Sequence, residues 1–384
     1  MKHYYSLIIN SFITFLFILF SSFVKEYAPI WGIGNLQQED SLTTATIIVG
    51  GDAMMHMPQI NAGYIDSSKS YDYSSWFTEI SPILKEGNLN IINLETTLAG
   101  PPYKGYPQFC APDIYAKNLY DAGFNFFVLA NNHTVDRGGK GMERTINTLT
   151  DFGIPNTGSF KSQAERDSIY PVLLRVNGIR ISLLNCTYGT NGLIPPTPYL
   201  VNMIDTVELK KDIQKAKMDR PDILMIAIHW GDEYKREPGA YQKSVANFLI
   251  RNGVDIIIGS HPHVIQPIEI VERNDKQHLI IWSLGNFVSN QRRHYTDGGM
   301  MVKFDLVKHK RKMQTKFQKI EYIPMWVYKT PPPIEYRILP IYLYENEAEK
   351  MSAQDKTLFL RFIEDSRSHL ERDERITEYF PNYQ

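Results

Sequence analysis

The chain has 384 residues, with 41 Lys and Arg against 42 Asp and Glu, for a formal net charge of −1. Domains run about 100–200 residues, so the length fits one enlarged domain or two, with enough chain to bury a full core. A hydrophobic fraction of 43% and a charged fraction of 22% exclude a disordered chain, a collagen-like chain and a multi-span membrane protein, and the near-neutral balance argues against broad electrostatic binding of nucleic acid, which needs a basic face.

At the N-terminus Lys2 precedes an apolar run from Ser6 to Val24, closed by Lys25 and Glu26. A positive start followed by an apolar stretch is the pattern of a secretory signal. The run barely reaches the roughly 20 residues that span a bilayer. Residues 1–24 are expected to be a signal peptide or a membrane anchor, and residues 25–44 a polar tether. Either outcome puts the rest of the chain outside the cytoplasm.

From Thr46 onward, short β-rich apolar runs alternate with amphipathic helical stretches. Strands are expected at Thr46–Val49, Leu89–Leu94, Phe126–Leu129, Ile179–Leu184, Ile223–Ile228, Ile256–Ile258, Leu279–Leu284 and Met300–Leu306. Helices are expected at Asp113–Ala122, Lys140–Phe152, Val207–Lys217 and Tyr241–Asn252, with Gly123 and Gly253 placed as left-handed C-caps. Such alternation favours α/β layers, and strands nearly continuous in Ile, Leu and Val are expected when both faces are covered. After Leu306 the composition shifts. Lys308–Lys319 reads as a solvated β-hairpin rather than a nucleic-acid patch, and Pro331, Pro332 and Pro333 read as a rigid turn. Glu345–Arg372 reads as a charged helical tail packing through Leu358, Leu360, Phe362 and Ile363. The expected division is a domain over 45–306 and a C-terminal accessory segment over 307–384. Two cysteines, Cys110 and Cys186, exclude a disulfide-dense scaffold and a four-cysteine zinc site. One bridge stays open, although Cys186 follows an apolar run and reads as a small buried residue.

The informative feature is which polar residues follow the strands, because ligands bind at the carboxyl ends of strands in α/β sheets. The first strand runs into Gly50, Gly51 and Asp52, then His56; Asp52 is either a helix cap or a presented ligand. Leu89–Leu94 ends in Glu95, a carboxylate expensive to bury without a cation. Phe126–Leu129 runs into Asn131, Asn132 and His133, with Asp136 beyond, which is more than a helix cap requires. Ile223–Ile228 ends in His229 and Trp230, and Ile256–Ile258 runs into His261 and His263. These five strand ends deliver Asp, Glu, Asn-His, His and His-x-His. Carboxylate and imidazole suit divalent ions such as Mn, Zn, Fe or Mg. One metal needs about four ligands, so this inventory is enough for two metals sharing a bridging carboxylate.

The set GDAMMH, NLETTL, ANNHTVDRGGKGMERT, HWGDEY with Pro238 and Gln242, GSHPHVIQPIE and SLGNF resembles the CapA family, linked to poly-γ-glutamate capsule synthesis, itself similar to the calcineurin-like metallophosphatase superfamily. The resemblance implies a four-layer α/β/β/α metallophosphatase-like sandwich with a two-metal phosphoesterase site. It implies Asp52 and His263 on the first metal, Glu95 bridging, and Asn132, His229 and His261 on the second. It places His133 beside them as a proton donor or stabiliser of transition-state charge, and Asp136 is a conjectured partner orienting it. Two departures stand out. The superfamily opens with Asp-x-His, whereas His56 follows Asp52 by four residues and reaches the first metal only if the chain turns helically there. The bridging residue is Glu rather than Asp.

The leading expectation is a metal-dependent hydrolase acting on an anionic polymer or phosphoester in capsule biosynthesis, with capsule-synthesis proteins as partners, membrane contact through the N-terminal segment and no nucleic acid. The alternative is a non-catalytic membrane-associated assembly or export factor whose metal site binds a polyanion, helped by Lys104, Arg137, Lys140 and Arg236. The loop with Tyr103, Tyr106 and Phe109 either lines the substrate groove or packs as a cover. Thr187–Pro198 is a further candidate rim.

Overall fold

A computed structural model describes residues 42–311 and 314–381. The expected signal or anchor at 1–24 lies outside the described residues, as does most of the tether. Among the described residues no helix is long and apolar enough to cross a membrane.

The described residues build two large sheets. One is nine-stranded, and its main path runs Tyr336–Pro340, Gln314–Lys329, Gly298–His309, Leu42–Ala53, Leu89–Leu94, Phe126–Val128, Asn156–Thr157. The other is six-stranded, in the order Ile268–Arg273, Lys276–Ile281, Ile256–Ser260, Ile223–His229, Ile179–Thr187, Val172–Val176. Alternate residues of each strand face opposite ways, and the burial follows that rule. Ile47, Val49, Leu89, Ile91, Phe126 and Val128 share one core with Ile181, Leu183, Met225, Ile256, Ile258 and Leu279; this is the layer between the sheets. The intervening Ile48, Ile92 and Phe127 pack with Tyr115, Leu119, Ile146 and Leu149 of the helices Asp113–Ala122 and Gly138–Asp151. On the other sheet, Leu224, Ile226, Ile228 and Ile257 pack with Leu209, Ile213, Val245 and Leu249 of the helices Thr206–Met218 and Ala240–Arg251. The architecture is the four-layer α/β/β/α sandwich.

Local chemistry sets the helix ends. Asp205 caps Thr206–Met218 by accepting from the N–H groups of Val207 and Glu208 at 2.7 and 3.1 Å. Gly123, at φ 129°, ends Asp113–Ala122 in a conformation that a Cβ would oppose.

Several boundaries differ from expectation. Leu42–Ala53 starts inside the expected tether, because Leu42–Thr44 pair with Val307–His309 of the neighbouring strand. The expected division at 306/307 falls within Gly298–His309. The basic run forms the turn end of the antiparallel pair Gly298–His309 and Gln314–Lys329, so the composition shift marks an exposed hairpin end rather than the edge of the sheet. The tail helix is Ala353–Leu370, buried through Phe359, Phe362, Ile363 and Leu370. Leu360 is 41% exposed, because at helical spacing it stands opposite that stripe. Phe359, Phe362 and Ile363 join the core between the sheets. Both cysteines are buried and free. Burial pushes the Cys186 thiol far up, as for a small residue enclosed in the core.

Candidate metal centre

In the nine-stranded sheet Leu42–Ala53, Leu89–Leu94 and Phe126–Val128 run parallel, and so do Ile179–Thr187, Ile223–His229 and Ile256–Ser260 in the other sheet. Their carboxyl ends meet where the backbone N–H of His261 donates to Asp52 Oδ2 at 3.2 Å.

Asp52 sits at a break in strand register on both sides, between Gly50 and Asp52 against one neighbour and between Asp52 and Ala53 against the other. Such bulges re-aim a side chain. The bulge requires Gly51, where a Cβ would stand 2.1 Å from the carbonyl oxygen of Gly285. Asn93 Nδ2 donates to Asp52 Oδ1 at 2.8 Å, and Asn131 Nδ2 donates in turn to Asn93 Oδ1 at 3.1 Å.

Glu95 follows the end of Leu89–Leu94 and is fully buried, and neither carboxylate oxygen has a hydrogen-bond partner. His229 Nε2 stands 3.7 Å and His263 Nε2 3.9 Å from Glu95 Oε1. Two sets of ligand atoms lie within 4.8 Å of one another, Asp52 with Glu95 and His229, and Glu95 with His261 and His263. Glu95 is common to both, which is the place of a bridging carboxylate. His263 also approaches Asp52 Oδ2 through Nδ1, at 3.3 Å. The sets group His229 with Asp52 rather than with His261, unlike the division that the resemblance implies. Asn132 Oδ1 lies 3.0 Å from His229 Nε2.

His261 and His263 have φ of 102° and 58°, a left-handed region that β-carbon sterics disfavour. The two ring centroids stand 5.9 Å apart. His229 Nδ1 is 3.0 Å from Ser260 Oγ and His263 Nδ1 is 3.1 Å from Asn286 Oδ1, while the buried His261 Nδ1 has no hydrogen-bond partner. Tyr188 covers His261 at 4.5 Å between ring centroids.

Burial pushes the Glu95 carboxyl well above the usual range, and the Asp52 charge adds to it. Burial also works to raise Asp52, but the hydrogen bond with His263 and the charges of His229 and His263 outweigh it and hold Asp52 below the usual range. Burial, then the His261 charge, holds His229 well below its ordinary value. Burial, then the His263 charge, lowers His261 to about 3. Neutral imidazole and carboxylate are the forms that ligate a cation. A buried carboxylate with two unpartnered oxygens, beside an unpartnered imidazole nitrogen, is costly unless a cation compensates it. The donor set therefore fits divalent metal, which Asp52, Glu95, His229, His261 and His263 could hold, with Asn132 alongside.

His133 Nδ1 is 2.7 Å from Asp136 Oδ2, and that oxygen also accepts the Phe109 N–H at 2.7 Å. Phe109 stands edge-on between His133 and His56, with centroids at 4.6 and 5.0 Å, so the aromatic loop walls the site at this residue. His56 is outside both ligand sets. The chain does not turn helically after Asp52: His56 caps the helix Met57–Ala62, with Nδ1 3.1 Å from Gln59 Oε1 and 3.4 Å from the Asn290 N–H. Of the cations expected to draw a polyanion, Lys140 pairs with Glu143, and Arg236 donates to the carbonyl of Asp365 at 2.6 Å. Sequence reading did not name Asn185, and it gave no supporting role to Ser260 and Asn286, although both lie inside the quoted GSHPHVIQPIE and SLGNF motifs. Asn185 Oδ1 accepts from the N–H groups of Leu129 and Ala130 at 3.1 and 2.8 Å and so holds the loop that carries Asn131–His133. The available signal was an amide or hydroxyl within or just after an apolar run, inside a named motif for Ser260 and Asn286.

The family model described as "Bacterial capsule synthesis protein PGA_cap" matches residues 46–291. Among curated proteins, the capsule biosynthesis protein CapA of Bacillus anthracis is 31% identical over 283 residues, which are 70% of this chain and 65% of that protein. The PGA biosynthesis protein CapA of Bacillus subtilis is 32% identical over 206 residues, half of each chain. The matches therefore span between half and about two thirds of the relatives' lengths. Among solved structures, the calcineurin-like phosphoesterase YfkN of Bacillus subtilis aligns with 86% of this chain and 99% of its own at 13% identity, with a TM-score of 0.42.

Proposed function

The chain belongs to the bacterial capsule synthesis protein family PGA_cap, and from that premise we propose that it is a metal-dependent, phosphoesterase-like hydrolase acting outside the cytoplasm in capsule or poly-γ-glutamate biosynthesis. Its substrate is an anionic polymer or a phosphoester on that route. Its N-terminal segment holds it at the membrane beside other capsule-synthesis proteins. The observation that carries the chemistry is Glu95, fully buried, with both oxygens unpartnered and shared by two sets of potential ligands.

Two divalent ions held by Asp52, Glu95, Asn132, His229, His261 and His263 would supply Lewis acidity and lower the pKa of water from 15.7 to near 7. The remaining work belongs to this chain's own groups. Asn93 and the His261 N–H hold the two Asp52 oxygens. Asn286 and Ser260 hold His263 and His229. Asp136 accepts a hydrogen bond from the Nδ1–H of His133, and in the imidazolium form the Nε2–H would donate a proton to a leaving oxygen or a hydrogen bond to developing charge. Phe109 and Tyr188 limit water at His133 and His261.

The test is turnover of a panel of phosphomonoesters and phosphodiesters by the full chain with Mn, against His133→Ala. Metal-dependent turnover that falls in the variant supports the reading. Equal inactivity of both proteins, with retained binding of polyglutamate, supports a second reading in which the centre binds polyanion without turnover. Met54 favours that second reading, since it stands where the Asp-x-His pattern has a ligand, while His56, two residues further on, caps a helix.

A further inference from the structure

Beyond Asn286 the chain passes through Ser289, Asn290, Gln291, Arg292 and Arg293, and this segment is tied to the metal centre at three points. Asn286 lies 3.1 Å from His263 Nδ1 through Oδ1 and donates through Nδ2 to Gln291 Oε1, also at 3.1 Å. The Asn290 N–H meets His56 Nδ1 at 3.4 Å. Tyr234 stands between His263 and Arg293, its centroid 6.2 Å from the imidazole and 4.9 Å from the guanidinium carbon.

A third cation completes the group. Arg292 and Lys329 lie over the ring of Tyr336 at 5.7 and 5.9 Å, and Lys329 Nζ donates to Asn290 Oδ1 at 3.3 Å. Arg292 uses one N–H on the carbonyl of Val327 at 2.7 Å. Both arginines are exposed and Lys329 is half-buried. Nearby cations have carboxylates, His294 with Asp365 and Arg337 with Glu79. Among the described residues, Arg292, Arg293 and Lys329 form no ion pair. Glu233 is close enough to raise the Tyr234 phenol and Asp297 acts on Arg292, yet neither forms an ion pair with the arginines.

Arg292 and Lys329 share the Tyr336 face and Arg293, next in the chain, lies on the Tyr234 face; cations held in this way without a carboxylate partner are prepared for an anion rather than neutralised. We propose that Arg292, Arg293 and Lys329 form a subsite beside the metal centre that grips a second oxyanion group of an extended anionic substrate. The inference rests on the reading of the centre as one that binds an anionic substrate. It adds that the substrate carries a further carboxylate or phosphate, which the guanidinium fork fits equally well. It also adds the segment after SLGNF to the polyanion contacts expected at Lys104, Arg137, Lys140 and Arg236.

The test is calorimetric binding of two probes, a γ-linked glutamate pentamer and tripolyphosphate, to the full chain with Mn and after chelation. The proteins compared are wild type and the triple variant Arg292→Gln, Arg293→Gln, Lys329→Gln. The expected result is salt-sensitive binding of at least one probe that survives chelation and weakens about tenfold or more in the variant, while Mn uptake is the same in both proteins. The probe that shows the loss identifies carboxylate or phosphate as the group taken. Equal binding by wild type and variant, or no binding of either probe, overturns the subsite. Variant-sensitive binding without turnover of any phosphoester leaves the subsite standing and removes the hydrolase reading.

Discussion

His133 Nδ1 and Asp136 Oδ2 stand 2.7 Å apart, both side chains almost wholly buried, and the carboxylate oxygen is fixed from its other side by the Phe109 N–H. The pair sets which nitrogen of His133 is free. Asp136→Asn removes the acceptor charge while keeping the shape. The expected outcome is a fall in kcat of about 10–100-fold, the usual cost of losing such an orienting partner, with metal content unchanged. Steady-state rates measured beside elemental analysis check it. A loss of metal in step with the loss of rate contradicts it.

Glu95 gives a prediction of opposite sign in two conditions. With chelator present, Glu95→Gln leaves thermal stability equal to or above that of wild type, because an uncompensated buried carboxylate is replaced by a neutral amide. With Mn at about 100 times its Kd, wild type gains about 2.7 kcal/mol and the variant gains little. Melting curves of both proteins in both buffers decide the matter. A stabilisation by Mn that is the same in the variant removes Glu95 from the site.

Gly51→Ala should damage the site through the backbone. The new Cβ would meet the Gly285 carbonyl oxygen at 2.1 Å, and backbone cannot step aside as a flexible side chain can. A destabilisation of about 1–3 kcal/mol, together with weaker Mn binding as Asp52 is displaced, is expected from denaturant unfolding and metal titration. A variant of wild-type stability and affinity would show that the bulge is not needed.

His369 predicts an acid-side loss of stability. Burial, then the Arg236 charge, lowers its pKa from 6.5 to about 4, against a hydrogen bond to the Arg236 carbonyl, with Arg372 and Glu237 also nearby. A histidine depressed in the folded state binds its proton more readily when unfolded. Its contribution is fully present above 6.5 and is lost as pH falls from there through about 4. Urea unfolding between those limits should show a shallower pH dependence for His369→Gln than for wild type. Parallel curves would contradict this.

Much of the fold was legible because the strands carry Ile, Leu and Val on both faces. Leu89–Leu94, for example, is buried at every position and is bounded as expected. That Asp52, Glu95, His229, His261 and His263 gather was legible for a related reason: each lies at or just after the end of such a run, and the carboxyl ends of strands are where ligands bind in α/β sheets. The places where sequence reading fell short share a physical cause. Leu360 and Phe359 are adjacent and equally apolar, so only the helix phase tells them apart. His56 depends on whether the chain bends after Asp52, which the Gly285 contact decides from far along the sequence. Arg292 and Arg293 look like any exposed pair until Tyr234, Tyr336 and Lys329 are brought beside them.

The most direct test of the shared centre is titration of Mn into the chelator-stripped full chain, followed by calorimetry, for wild type and Glu95→Gln. Uptake of two ions per chain by wild type, falling to one or none when the shared carboxylate loses its charge, is the result predicted. No stoichiometric uptake by wild type, or the same two ions in the variant, would contradict it.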